Sequence, residues 1–228
     1  MPNWCYNYLS AEGPVDEISK LKQQLNKPFT KVHDQWNPET GQMELTETTY
    51  SNPIFAFHNI YNHIQDGVSE EEYIKQPDHS LPLAEALKFE GNHWYDWNVR
   101  HWGTKWDVAV HDDREYSDTE ITDESDSSIG YKFNTAWSPP HPIIHTLSEQ
   151  YPNIKFTLSY EEETGWGGET IIVAGMEESH ESYGWKCREC DHAEEETPYC
   201  EECDFDTCPS CGYNEADEPC EEHREEHQ

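Results

Sequence analysis

Eight residues near the end of the chain form four pairs with the spacing of metal ligands: Cys187/Cys190, Cys200/Cys203, Cys208/Cys211 and Cys220/His223. Two intervening residues let both side chains of a tight turn face one tetrahedral ion. Eight ligands therefore predict two zinc ions, one held by four cysteines and one by three cysteines and a histidine. Neither set leaves a position open for water, so the expected role is structural and not catalytic. The intervals favour two consecutive ribbons, Cys187, Cys190, Cys200 and Cys203, then Cys208, Cys211, Cys220 and His223. The alternative is a cross-braced arrangement that joins the first pair to the third and the second to the fourth. His192 and His227 are spare candidates for the eighth ligand. A segment this short and poor in aliphatics cannot bury enough apolar surface to fold alone, whereas a structural zinc contributes about 10 kcal/mol or more.

Other side chains with chemical potential are scattered. His141 and His145 stand one helical turn apart, a spacing that can hold a metal, and His93, His101, His111 and Asp107 surround a tryptophan-rich stretch. None is accompanied by the signature of a nucleophile, a phosphate loop or a glutamate-assisted metal site, so the chain is expected not to be an enzyme. Cys5 is isolated in an expected core strand, where a buried, inert thiol is the usual outcome. Trp94, Trp97, Trp102, Lys105 and Trp106 are the candidate partner-binding surface. The competing reading is that these tryptophans pack a helix onto a sheet.

The elements that must carry these groups can be read from periodicity. Asn3 to Ala11 alternates as a strand, and Val15, Ile18, Leu21 and Leu25 give the buried stripe of a helix beginning near Pro14. Thr30 to Ser51 is polar and predicts loops or an irregular hairpin. Ile54, Phe57, Tyr61 and Ile64 recur at helical spacing, and a further helix is expected over about 83–101, ended by Gly103, before a strand starting at Val108. Asp112 to Ser128 is acidic and serine-rich and predicts a solvated loop. Ile129 to Phe133 alternates as a strand, Ile143, Ile144, Leu147 and Tyr151 mark a helix, and two strands follow around Ile154–Tyr160 and Glu169–Ala174. The order is βα, a helical insertion over about 53–103, then ββαββ. A split βαββαβ antiparallel sheet with helices on one face accommodates it, an α+β architecture. The expected domains are 1–176 and an acidic, zinc-binding tail over 177–228.

Charge narrows the function classes. The chain has 48 acidic and 14 basic side chains, a formal net charge of -34. Such a surface repels phosphate, which argues against ordinary nucleic-acid binding despite the zinc pairs. Ligation by seven thiolates of two divalent ions would leave the tail more negative still. Neither an export signal at Met1-Pro2-Asn3-Trp4 nor a long apolar run is present, so a soluble protein of a reducing compartment is expected, with no membrane contact.

Three motifs occur in order: Pro2-Asn3-Trp4-Cys5; Trp94-Tyr95-Asp96-Trp97 with Trp102-Gly103-Thr104-Lys105-Trp106-Asp107; and Phe133-Asn134-Thr135-Ala136-Trp137-Ser138-Pro139-Pro140. Over about residues 1–176 the chain resembles the YubB-type ferredoxin-like domain family of bacteriophages and conjugative plasmids. The resemblance implies a ferredoxin-like fold and a mobile-element origin, with no iron-sulfur cluster and no catalytic set to carry over. The zinc tail is expected to lie outside it. Together, acidity and that context predict a cytoplasmic accessory protein that binds a host or phage protein, inhibiting a defence or nucleic-acid-handling factor by charge mimicry. The alternatives are a zinc-containing nucleic-acid-binding protein and a virion or assembly component.

Overall fold

The computed structural model describes residues 3–75, 92–109 and 118–186, together with the short strands at 193–194, 199–200 and 205–206. Its centre is a six-stranded antiparallel sheet. Strands β1 (Trp4–Glu12), β4 (Glu120–Glu124), β5 (Ser128–Ala136), β6 (Lys155–Glu162), β7 (Gly167–Val173) and β8 (Met176–Tyr183) stand in the order β4-β5-β1-β6-β7-β8. Helix α1 (Val15–Leu25) follows β1, and helix α4 (His141–Gln150) joins β5 to β6. The first four strands and these two helices make the split βαββαβ unit, and β7 and β8 extend it at one edge.

Alternation along β1 decides which face is covered. Cys5, Asn7, Leu9 and Ala11 are buried while Tyr6 and Tyr8 are exposed, so the aromatic row looks away from the helices. Burying Asn7 needs compensation. Its Nδ2 donates to the Cys5 and Phe133 carbonyls and to Thr135 Oγ1 at 2.9 Å. Ile18, Leu21 and Leu25 of α1 and Ile143, Ile144 and Leu147 of α4 close the same face.

Between α1 and β4 the chain builds an insertion. It holds the hairpin β2 (Phe29–Asn37) and β3 (Gln42–Tyr50), a 3-10 turn at Phe57–Asn59, α2 (Glu70–Ile74) and α3 (Trp94–Trp102). The insertion belongs to the common core: Phe55 stacks on Tyr131 of β5 at 5.0 Å, and Phe57 lies 5.9 Å from both Phe133 and Trp102. Trp97 and Trp102 are fully enclosed, their indole N–H groups donating to Asp66 Oδ2 and the Tyr61 carbonyl, both at 2.9 Å.

Several expectations are revised. The polar stretch after α1 is a regular hairpin turned at Gly41, whose φ is +66°. The apparent helical stripe from Ile54 to Ile64 forms only the 3-10 turn, with Ile54 and Ile64 exposed. The second strand of the split unit is β4 and not a strand at Val108. It lies in the acidic stretch read as loop, because an edge strand with every residue exposed carries no apolar alternation. Cross-strand pairing holds it, with Lys132 Nζ 3.4 Å from Glu120. Finally, β8 carries the sheet to Tyr183, past the expected boundary at 176. Of the helix expected over 83–101, the described part is α3.

Candidate functional site

Two motifs far apart in sequence meet at the end of the sheet where β1 begins and β5 ends. Helix α3 stops because Gly103 takes the left-handed conformation, φ +80°, and its N–H caps the Val99 carbonyl at 3.1 Å. A Cβ there would lie 2.5 Å from Pro142 Cδ, so the residue is fixed by both conformation and space. Thr104 then bonds Ala136, and Ser138 Oγ donates to the Gly103 carbonyl at 2.6 Å. These bonds set Lys105-Trp106 beside Trp137.

Lys105 Nζ sits 4.5 Å from the Trp106 ring centroid, 5.1 Å from Trp137, 5.9 Å from Tyr95 and 6.0 Å from Trp94. Each such contact at an exposed site contributes roughly 0.5–1 kcal/mol. Trp4 extends the cluster, 6.2 Å from Trp106. Trp106 is 38% exposed and Trp137 42%, so both residues meet solvent. Trp137 also has φ +69°, a conformation unfavourable for a bulky side chain, and its N–H donates to the Asn3 carbonyl at 2.9 Å. The first, second and third motifs therefore converge on one exposed aromatic site.

The expected surface is corrected in part. Trp94, Lys105 and Trp106 are in this cluster, but Trp97 and Trp102 are core residues with no accessible face. Tyr95, Trp137 and Trp4 were missed. Pairing of β1 with β5 in the register Trp4↔Ala136 brings Trp4 to Trp137, and the Thr104–Ala136 and Ser138–Gly103 bonds bring Tyr95 there, long-range relations that no local period records.

Among the described residues, His93, His101 and Asp107 do not come together as a metal-ligand group. Asp107 accepts from the backbone N–H groups of Phe57, His58 and Ala109 at 2.8, 2.9 and 3.1 Å, a structural cap. His101 stacks on Trp97 at 4.4 Å and lies 3.4 Å from Asp66. His93 stands at the N-terminus of α3, and His111 lies outside the described residues. Inside the insertion, His63 stacks on Tyr73 at 3.8 Å and meets Glu70 at 2.9 Å. Burial lowers its pKa against the raising effect of that carboxylate. Burial likewise lowers the Lys31 and His58 pKa values against the charge of Asp107. Cys5 is inert for the same reason, its thiol pushed up to about 12 by burial.

Of the zinc candidates, Cys200 belongs to a described strand. Cys187, Cys190, Cys203, Cys208, Cys211, Cys220 and His223 lie outside the described residues.

Residues 105–217 match the family model described as the ferredoxin-like domain in Api92-like protein. The chain carries a ferredoxin-like domain. The matched stretch starts at Lys105 of the aromatic cluster, covers β4 to β8, and runs on through the first three cysteine pairs, beyond the expected limit at 176. A crystal structure of the protein api92 from Yersinia pseudotuberculosis is similar at 10% sequence identity and a TM-score of 0.45, covering 82% of this chain and 100% of that one. No curated protein matches the chain. Among the described residues no helix is long and apolar enough to cross a membrane.

Proposed function

We propose that the chain is a non-enzymatic, acidic binding protein that docks a basic protein partner through the aromatic cluster around Lys105. The observation that carries this reading is Trp137: a bulky residue held at φ +69° and 42% exposed. Holding such a residue left-handed costs on the order of 1–3 kcal/mol, and exposed rings recover little of it by burial. Tryptophan and tyrosine are the residues that dominate binding energy when a partner desolvates them. The surrounding charge of -34 supplies the second element, since it attracts a basic protein from a distance and repels nucleic acid. Occupation of the basic groove of a host nucleic-acid-handling or defence factor, by a mobile-element protein in the host cytoplasm, is the form this takes. The test is affinity capture by the full chain and by its Trp106→Ala and Trp137→Ala variants, with mass spectrometry of what is retained. Basic nucleic-acid-handling proteins held by the parent and lost by both variants are expected. Equal retention by all three would remove the cluster from the interface.

We infer also that the tail holds two structural zinc ions on its cysteine pairs and His223. Two short hairpins support this. Trp185–Lys186 pairs with Ala193–Glu194, and Cys187 and Cys190 lie in sequence between them; Tyr199–Cys200 pairs with Phe205–Asp206 around Cys203. Paired strands on either side of a Cys-x-x-Cys are what a tetrahedral thiolate site needs. Elemental analysis of reduced protein should give at least two zinc ions per chain, and a value near zero would sink the assignment.

A further inference from the structure

A second candidate metal-binding constellation is built entirely from residues outside the cysteine pairs, and it does not depend on the tail. His141 and His145 occupy one face of α4, a turn apart. Glu177 reaches the same point from β8, and one ligand atom from each of the three lies within 4.8 Å of the others. We propose that His141, His145 and Glu177 bind a borderline divalent cation, zinc by ligand type, which ties helix α4 to the edge strand β8.

The backbone explains why Glu177 faces the helix. In β8 the register slips between Ile171↔Ser179 and Ile172↔Glu177, leaving Glu178 as the extra residue of a bulge. A regular strand would put residues 177 and 180 on opposite faces; the bulge brings both to the side of buried Ile172 and Thr170. His180 is thereby set next to the site, its ring 5.9 Å from His141 and its Nδ1 2.8 Å from Thr170 Oγ1. The turn that starts β8 is pinned to the helix as well. Ala174 and Gly175 have φ of +52° and +74°, Gly175 N–H donates to buried Ser148 Oγ at 3.1 Å, and the Gly175 carbonyl meets His145 Nδ1 at 3.2 Å.

That last contact determines the chemistry. A carbonyl only accepts, so Nδ1 of His145 carries the hydrogen, and in the neutral ring Nε2 then presents a lone pair. Nε2 lies 3.1 Å from Glu177 Oε1, which is also an acceptor. In that tautomer a proton carried by either group, or a metal ion, must stand between them. An N–H donated to a backbone carbonyl is the usual way in which a ligating histidine is oriented. Ligand atoms about 2.0–2.2 Å from zinc stand roughly 3.4 Å apart, close to the separation already present for this pair. His141 adds a third ligand, and its Nδ1 is buried with no hydrogen-bond partner. Three protein ligands, two of them His at i and i+4, leave a fourth position for water. The role assigned is to anchor β8, whose residues from Met176 to Ser182 are exposed and which, among the described residues, is an edge strand of the sheet.

The test is a cobalt(II) titration of the full, reduced, metal-free chain, followed by visible absorption. Thiolate sites give sulfur-to-metal charge-transfer bands, and a His-His-Glu site gives none. One equivalent bound without charge transfer is expected, weakened at least tenfold in His145→Ala and in the conservative Glu177→Gln, with any thiolate bands unchanged and the far-ultraviolet circular dichroism of the parent retained. If parent and both variants bind cobalt identically, the three residues form a histidine–glutamate ion pair only, and the site is overturned. The result stands whether or not the tail binds zinc, because the two signals are spectrally separate.

Discussion

Thr104 and Ala136 exchange two hydrogen bonds: Thr104 Oγ1 donates to the Ala136 carbonyl and accepts from the Ala136 N–H, both at 3.1 Å. One hydroxyl thereby completes the end of β5 as a neighbouring strand would. It also ties the segment after α3 to the residue preceding Trp137, so the exposed aromatic cluster is built on a buried polar contact.

Thr104→Val should separate these roles. Valine keeps the shape but satisfies neither group, leaving a buried N–H and carbonyl without their partner at a cost of about 1–3 kcal/mol each. A loss of roughly 2–6 kcal/mol in urea unfolding is expected, with Thr104→Ser retaining most of the parent stability. Partner capture should weaken in the valine variant under conditions where it remains folded, since Lys105 and Trp137 lose their shared support.

Gly103→Ala tests the corner before it. The new Cβ would have to adopt φ +80° and would meet Pro142 Cδ at 2.5 Å. The conformational term is about 1–2 kcal/mol and the overpacking term about 1–3 kcal/mol, so a loss of roughly 2–5 kcal/mol is expected. A change under about 0.5 kcal/mol, measured by denaturant titration, would mean that Pro142 and α4 yield freely.

Acid should weaken the insertion first. Burial lowers the pKa values of His58, His63 and His101, with Glu70, Asp107 and Asp66 opposing it and Lys31 and Arg100 adding to it. The unfolded imidazoles titrate near their ordinary value, so just below it the unfolded chain holds more protons than the folded one. Stability must then rise with pH in that window and fall on acidification from about pH 7 to about pH 5.5. Asp66, whose carboxyl is held below its ordinary value by the Trp97 and Tyr61 hydrogen bonds, extends the loss when the pH falls through the carboxylate range. Urea midpoints measured in the presence of a chelator check this. A midpoint independent of pH across the histidine window would show that these rings ionise freely in the folded state.

The α1, β5, α4 and β6 elements were legible because each carries a strong local period: Ile18, Leu21 and Leu25 on one helix, Ile129, Tyr131 and Phe133 on one strand. The strand β4 was hidden by its exposure on both faces, and β8 by a charge density that resembles a tail. The cysteine pairs of the tail are legible through their spacing alone. The aromatic site was half legible, because a run of tryptophans announces itself but not which of them point inward. Trp97 and Trp102 face the core through their place on α3, whereas Trp137 joins Lys105 through the Thr104–Ala136 and Ser138–Gly103 hydrogen bonds and joins Trp4 through the pairing of β1 with β5. Likewise His141 and His145 were visible as a helical pair, but Glu177 needed the bulge in β8 to reach them.

Trp97 and Trp106 therefore offer the sharpest contrast. Trp97 is buried against Tyr61, Tyr73 and Trp102 and donates to Asp66, so Trp97→Ala should cost about 3–5 kcal/mol, while Trp97→Phe should keep most of the packing and lose the hydrogen bond. Trp106 touches Lys105 and Trp4 at the surface, so Trp106→Ala should change stability by no more than about 1 kcal/mol. Binding should follow the opposite order. Trp106→Ala should reduce partner affinity by at least tenfold, the effect expected where a desolvated indole costs more than about 1.4 kcal/mol to truncate. Trp97→Phe, while folded, should bind as the parent does. Calorimetric titration against a captured partner, set beside urea unfolding of the same proteins, measures both quantities; equal binding by the Trp106→Ala variant would return this tryptophan to a purely structural role.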